Sequence, residues 1–227
     1  MTKPPILLFA AGFGTRMGAL TADKPKPLVQ VAGRALIDHA LALTTDQDIG
    51  PKVVNIHYKG QMLRDHFAGT DVLFSDETDE ILETGGGLRK AMPLLGGSPV
   101  ITLNTDAIWH GPNPIAALLN AWHPDMEALL MTVPVAQAHG HKNSGDFLID
   151  ERGELTRGAG EIYSGLQMLR TDDLVNIADT AFSLRSLWDR IAKRGGMNRV
   201  SYTGQWCDVG RPESIEIAEK MIGHRNV

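Results

Sequence analysis

Cysteine is nearly absent: Cys207 is the single example in 227 residues. One thiol excludes an intramolecular disulfide framework and any cysteine-rich zinc site, and leaves Cys207 as an ordinary small apolar residue. Long apolar runs are also missing. The N-terminal MTKPPILLFAAG has only a short apolar stretch before glycine and no signal-peptide cleavage pattern. Nothing downstream approaches the ~18 consecutive apolar residues of a membrane span, so the expectation is a cytoplasmic protein with no membrane partner. Basic charge is not in excess either, since 22 Lys and Arg stand against 27 Asp and Glu, a formal net charge of -5. With no long run of like charge and no basic-aromatic surface, that balance speaks against general nucleic-acid binding and requires functional cations to act locally. Internal repeats, low-complexity tracts and linkers are absent as well.

What is present is alternation. Short β-rich runs at 6–9, 53–57, 72–75, 100–103, 128–134 and 163–169 are separated by segments of helical period at 36–44, 61–67, 87–94 and 115–122. FSLRSLWDRIAKRG, from Phe182, reads as an amphipathic helix with a glycine stop. GDFLIDERGELT, from Gly145, reads as two short runs around a charged turn, a β-hairpin. The pattern predicts an α/β fold: one Rossmann-like domain over 1–227, a mostly parallel sheet with helices on both faces, and a small hairpin inserted at about 143–157.

The stretch FAAGFGTRMGALTADKPKPL, residues 9–28, follows the first apolar run directly. Glycines there let the backbone approach a ligand and aim N–H groups at an anion, which makes the loop a phosphate candidate. A dinucleotide fingerprint fails because Met17 stands where the third glycine belongs and Pro25 and Pro27 break any long helix, which denies a dehydrogenase. The ATPase phosphate loop fails because no Gly-Lys-Ser or Gly-Lys-Thr follows. What remains is a glycine loop carrying Arg16 and a Lys-Pro-Lys-Pro segment that would hold Lys24 and Lys26 extended, within reach of a polyphosphate. The alternative is a tight turn with two solvated lysines.

AAGFGTRM followed by DKPKPL resembles the signature of the sugar-1-phosphate nucleotidyltransferases, and ETGGGLRKAMPLL, LNTDAIW and WCDVGRPES follow in the family's order. The resemblance spans nearly the whole chain and is nearest to the N-acetylmuramate-1-phosphate uridylyltransferases of peptidoglycan recycling, with the mannose-1-phosphate guanylyltransferases as the alternative. It implies transfer of a nucleoside monophosphate from a nucleoside triphosphate, UTP in the first case, to a sugar 1-phosphate with release of pyrophosphate. A non-catalytic sugar-nucleotide sensor of the same fold is the remaining alternative, and intact Arg16, Lys26, Asp106 and Asp208 speak against it.

The resemblance also implies site residues. Arg16 would stabilise the leaving pyrophosphate and Lys26 the α-phosphate, with Lys24 a lesser cation. Ala10, Ala11, Gly12, Gly14, Thr15, Glu77, Thr84 and Gly85 would face the nucleotide, and Gly145, Tyr163, Ser164 and Gly165 the sugar. Asp106 and Asp208 would hold Mg2+, a hard cation that takes one or two carboxylates and completes its shell with phosphates and water. By position alone each Asp is equally a helix cap. Thr84 is expected to cap the helix it precedes, with the amides of Gly85 to Gly87 facing the nucleotide, and Glu77 to sit in a mostly solvated acidic turn. Thr105 departs from a family pattern that often has glycine there, and would narrow the site or point into the core. The Glu-Lys-Pro element of glucose-1-phosphate enzymes is missing from LTRGAGEIYSG, which removes a lysine for the sugar phosphate. His139 and His141 are expected in a solvated loop, and Trp122, Trp188 and Trp206 in packing.

Overall fold

Ile6–Phe9 (β1) is an inner strand of a seven-stranded sheet in a computed structural model that describes residues 3–151 and 153–223. The other strands are Lys52–Ile56 (β2), Leu73–Asp76 (β3), Val100–Asn104 (β4), Ala128–Val133 (β5), Ile162–Leu169 (β6) and Met197–Ser201 (β7). Their spatial order is β7-β5-β6-β4-β1-β2-β3. Only β6 runs antiparallel to its neighbours, so the sheet is mostly parallel as the alternation predicted. The chain leaves β1 toward β2 and β3, then returns to lay β4 on the other side of β1. That reversal opens a crevice at the carboxyl ends of β1 and β4, where open α/β sheets bind ligands. Phe9 pairs with both Asn55 and Asn104, so two asparagines flank the end of β1 at the crevice.

Alternation along the strands divides the core. Ile6 and Leu8 face one side, with Ile37 of Leu36–Ala42 (α1), Leu63 of Gly60–His66 (α2) and Ile115 and Leu118 of Pro114–Ala121 (α4). Leu7 and Val53 face the other, with Leu88 and Leu95 of Glu83–Leu95 (α3) and Leu187 and Ile191 of Arg185–Ala192 (α5). Glu213–Met221 (α6) closes a smaller cluster of Met17, Leu36, Cys207, Val209 and Ala218 beside a three-stranded sheet. That sheet has Gln205–Asp208 between Ala107–His110 and Ala138–His139.

The hairpin is present, Phe147–Ile149 pairing antiparallel with Leu155–Arg157. Arg152 of its turn lies outside the described residues. Three differences from the sequence reading have clear causes. β7 has no alternating signal because every residue of this edge strand is half-buried. Helix α3 begins at Glu83 rather than 87 and takes in all three glycines, Gly85 and Gly86 buried against the segment 180–182 and Gly87 against Glu77 and Asn55. Helix α5 begins at Arg185, three residues beyond Phe182.

Candidate active site

The loop after β1 is held from below. Ala10 N–H donates to Asn55 Oδ1 at 2.7 Å, and Asn55 Nδ2 donates to Glu77 Oε1 at 2.8 Å. Glu77 is therefore buried at the floor, 1% exposed, and not in a solvated turn. Burial raises its pKa against the hydrogen bond from Asn55. A Cβ on Gly87 would stand 2.6 Å from Glu77 Oε1, so this glycine makes room for the carboxylate. Asn55 escaped the sequence reading because one polar residue at the end of an apolar strand has no local signature.

Gly14 has φ 65°, and a Cβ on it would meet the Lys26 Cβ at 2.7 Å. Glycine here satisfies the left-handed turn and lets the lysine stem pass against the loop. Lys26 opens a short 3-10 turn, Lys26–Leu28, in place of the extended conformation expected, with Pro25 and Val29 extended on either side. Arg16 and Lys26 line one cavity together with Ala10, Ala11, Gly12 and Thr15, whereas Lys24 is exposed and does not line it.

The two aspartates meet through the small sheet. Asp106 lies just beyond β4, and the strand after it pairs with Gln205–Asp208 so that Asp208 is opposite Ala107. Val209 N–H donates to the Asp106 carbonyl at 2.8 Å. Neither carboxylate caps a helix: Asn113 caps α4, and α6 has no side-chain cap. Burial and then the Asp106 charge push the Asp208 pKa up, against Lys26, Arg16 and His141. Lys26 Nζ lies 2.6 Å from Asp106 Oδ2, the lysine side chain 12% exposed and the aspartate 30%. Two carboxylates repelling each other beside a lysine and an arginine are a donor set that fits a hard cation completed by phosphate oxygens. Thr105 points inward, its hydroxyl donating to the Phe9 carbonyl at 2.8 Å, so it ties β4 to β1. The Cys207 thiol is buried and pushed up to about 12, which removes it as a nucleophile.

Two cavities of about 330 Å³ and 360 Å³ share Phe9, Thr84 and Asn104 as a common wall. The first holds the glycine loop, Arg16, Lys26, Asp106 and Glu77. The second is lined by Gly145, Tyr163, Gln167, Trp188, Arg157 and Arg185 among others. Asn104 enters the wall because Gly165, at φ 83°, has no Cβ to meet it at 2.8 Å.

Several expected contacts are corrected. Ser164 faces the sheet interior, donating to the Met131 carbonyl at 2.8 Å, and lines neither cavity. Gly165 likewise acts through Asn104 and lines neither. The amides of Gly85 and Gly86 donate to the Phe182 carbonyl at 2.8 and 3.1 Å, so they are not turned to a nucleotide. Thr84 lies inside α3 and does not cap it; its hydroxyl accepts from Leu184 N–H at 3.0 Å, while the residue lines both cavities. His139 and His141 are half-buried: His139 Nε2 lies 2.6 Å from Gln205 Oε1, and His141 packs on Trp206. Trp188 packs as expected but also lines the second cavity, its Nε1–H donating to Gln167 at 2.8 Å. Asn104 lay within LNTDAIW without being singled out, and Asp146, Gln167, Arg157 and Arg185 had no motif to announce them.

An α/β switch-point crevice with a glycine loop, two cations and two carboxylates beside a second cavity is the arrangement of a nucleotidyltransferase. The chain belongs to the MobA-like NTP transferase family, whose domain matches residues 6–145. It is 36% identical to the N-acetylmuramate alpha-1-phosphate uridylyltransferase of Caulobacter vibrioides, over 95% of this chain and 96% of that one. A mannose-1-phosphate guanyltransferase of Gibberella zeae is 25% identical over 92% of this chain and 61% of its own length. Among solved structures, HddC from Yersinia pseudotuberculosis complexed with GMP-PN superposes with a TM-score of 0.76 at 22% identity, covering 96% of this chain and 98% of its own, a likeness of fold. No described helix is long and apolar enough to cross a membrane.

Proposed function

We infer that the chain joins the UMP of UTP to N-acetylmuramate 1-phosphate, releasing pyrophosphate and UDP-N-acetylmuramate, in the cytoplasmic recycling of peptidoglycan. The observation that carries the transfer chemistry is the pair of cavities meeting at Thr84 and Asn104, with Lys26 and Asp106 in the first. The choice of base and sugar is supported by the Caulobacter relative, aligned over 95% of the chain.

A sugar-phosphate oxygen attacks the α-phosphorus, the new O–P bond forms, and the bond to the β-phosphate bridge breaks with its electron pair on pyrophosphate. The attacking oxygen is already an anion, so no side chain has to remove a proton. The task left to the protein is to align two anions and neutralise them. Backbone from Ala10 to Thr15 receives the triphosphate, Arg16 meets the leaving pyrophosphate, and Lys26 meets the α-phosphate after exchanging its contact with Asp106. Glu77 and Asn55 hold the loop floor, and Gly145 and Tyr163 line the sugar side. Asp106 and Asp208 would hold Mg2+, which supplies charge neutralisation between the two phosphate groups.

Pyrophosphate release in magnesium, measured over UTP, GTP, CTP and dTTP against N-acetylmuramate, N-acetylglucosamine, glucose and mannose 1-phosphates, tests the reading. Turnover is expected with UTP and N-acetylmuramate 1-phosphate. Turnover confined to GTP with mannose 1-phosphate would move the chain to guanylyl transfer, and bound nucleotide with no turnover on any sugar would make it a sensor.

A further inference from the structure

The second cavity carries two arginines, Arg157 from the hairpin and Arg185 from the start of α5, and neither lines the first. The phosphate end of a sugar 1-phosphate must lie toward Lys26 and Asp106, because reaction occurs at the α-phosphorus. Arg157 and Arg185 therefore face the part of the sugar away from its phosphate. A neutral hexose has no anion there. N-acetylmuramate does: it differs from N-acetylglucosamine by a lactyl ether ending in a carboxylate.

The two arginines differ in their partners. Arg157 Nη2 is bound to Asp189 Oδ1 at 2.7 Å. Arg185 has no carboxylate partner among the described residues; its recorded bond is from its backbone N–H to Ser183 Oγ at 3.3 Å. It also stands in the first turn of a helix with no acidic residue there, where the helix dipole disfavours a cation. Its place is nevertheless held, since Thr84 on the shared wall accepts the N–H of the adjacent Leu184. The one acid among the described residues lining this cavity, Asp146, accepts from Tyr163 N–H at 2.9 Å.

We propose that Arg185, supported by Arg157, recognises the carboxylate of the sugar's lactyl group and so selects an acidic sugar over its neutral parent. This rests on the reading above that the sugar is N-acetylmuramate. A guanidinium fits a carboxylate through two parallel N–H donors, which lysine does not reproduce.

The test is calorimetric binding of UDP-N-acetylmuramate and UDP-N-acetylglucosamine to the wild-type chain, Arg185→Ala and Arg185→Lys. Wild type is expected to prefer the acidic conjugate by about tenfold or more, as a charge-assisted pair would give. In Arg185→Ala that ratio should collapse toward one, with the loss falling on the acidic conjugate, and Arg185→Lys should recover only part of it. Equal weakening of both conjugates, or an unchanged ratio, overturns the proposal while leaving the proposed reaction intact. Failure of the wild type itself to bind or turn over the N-acetylmuramate compounds overturns the reaction too, and is seen before any variant is made. Circular dichroism melts of the variants establish that this exposed position has not altered folding.

Discussion

Folding takes Asp208 partly out of water and sets it beside Asp106, so its native pKa lies above the 3.8 of an ordinary Asp. The native state then holds the proton more tightly than the unfolded chain. The stability this contributes is present below the unfolded value and is lost as pH rises through the native one, leaving the full penalty at neutral pH. Asp208→Asn is expected to raise the Tm of the metal- and nucleotide-free protein by a few degrees near neutral pH, at about 2–4 °C per kcal/mol for a chain of this size. The gain should shrink toward about pH 4, while turnover falls on the order of 10²-fold or more. Melts at both pH values with a pyrophosphate assay check this, and a neutral-pH Tm below wild type would make the carboxylate structural. At this scale the loop cations were legible because glycine in a left-handed turn beside Arg and Lys leaves a local trace. Asn55 was not, because its role depends on Ala10 and Glu77, which reach it from other segments.

Helix α3 shows how an element can satisfy its motif for another reason. ETGGG looked like a helix start presenting amides to a nucleotide, yet Gly85 and Gly86 are buried against Phe182 and Thr180. A Cβ on Gly86 would overlap the Thr180 carbonyl, a backbone atom that cannot turn aside. Ala normally gains up to about 1 kcal/mol over Gly in a helix interior, but overpacking costs roughly 1–3 kcal/mol. Gly86→Ala is therefore expected to lower the urea midpoint. Because Thr84 anchors Leu184, it should also raise KM for the sugar phosphate more than for the nucleotide. A stabilised variant would show that the 180–184 segment is not packed as described. The helix boundary was misread for the same reason: glycine is a poor helix former by propensity, and only close packing against another segment justifies three in succession.

Across the whole molecule, the two cavities are walled by segments from most of the chain, so ligand binding is coupled to global folding. On the proposed reaction, UTP with magnesium at about 100 times its Kd would add about 2.7 kcal/mol to native stability. A Tm rise of about 5–10 °C is expected, from the 2–4 °C per kcal/mol of a chain this size. A chelator should remove most of it, and scanning calorimetry with and without EDTA checks both. A chelator-insensitive shift would separate nucleotide binding from Asp106 and Asp208. The sequence by itself determined six of the seven strands of the main sheet, most of the helices, the α/β class and the glycine loop with its cations, since each is written in short-range periodicity or in a backbone conformation that one residue type adopts. Only the tertiary structure decided that Asp106 meets Asp208, that Glu77 is a buried floor, that Ser164 turns inward and that two arginines face the second cavity. Those outcomes depend on strand order and register, which are settled by burying both faces of the sheet at once and leave no mark within any single stretch of chain.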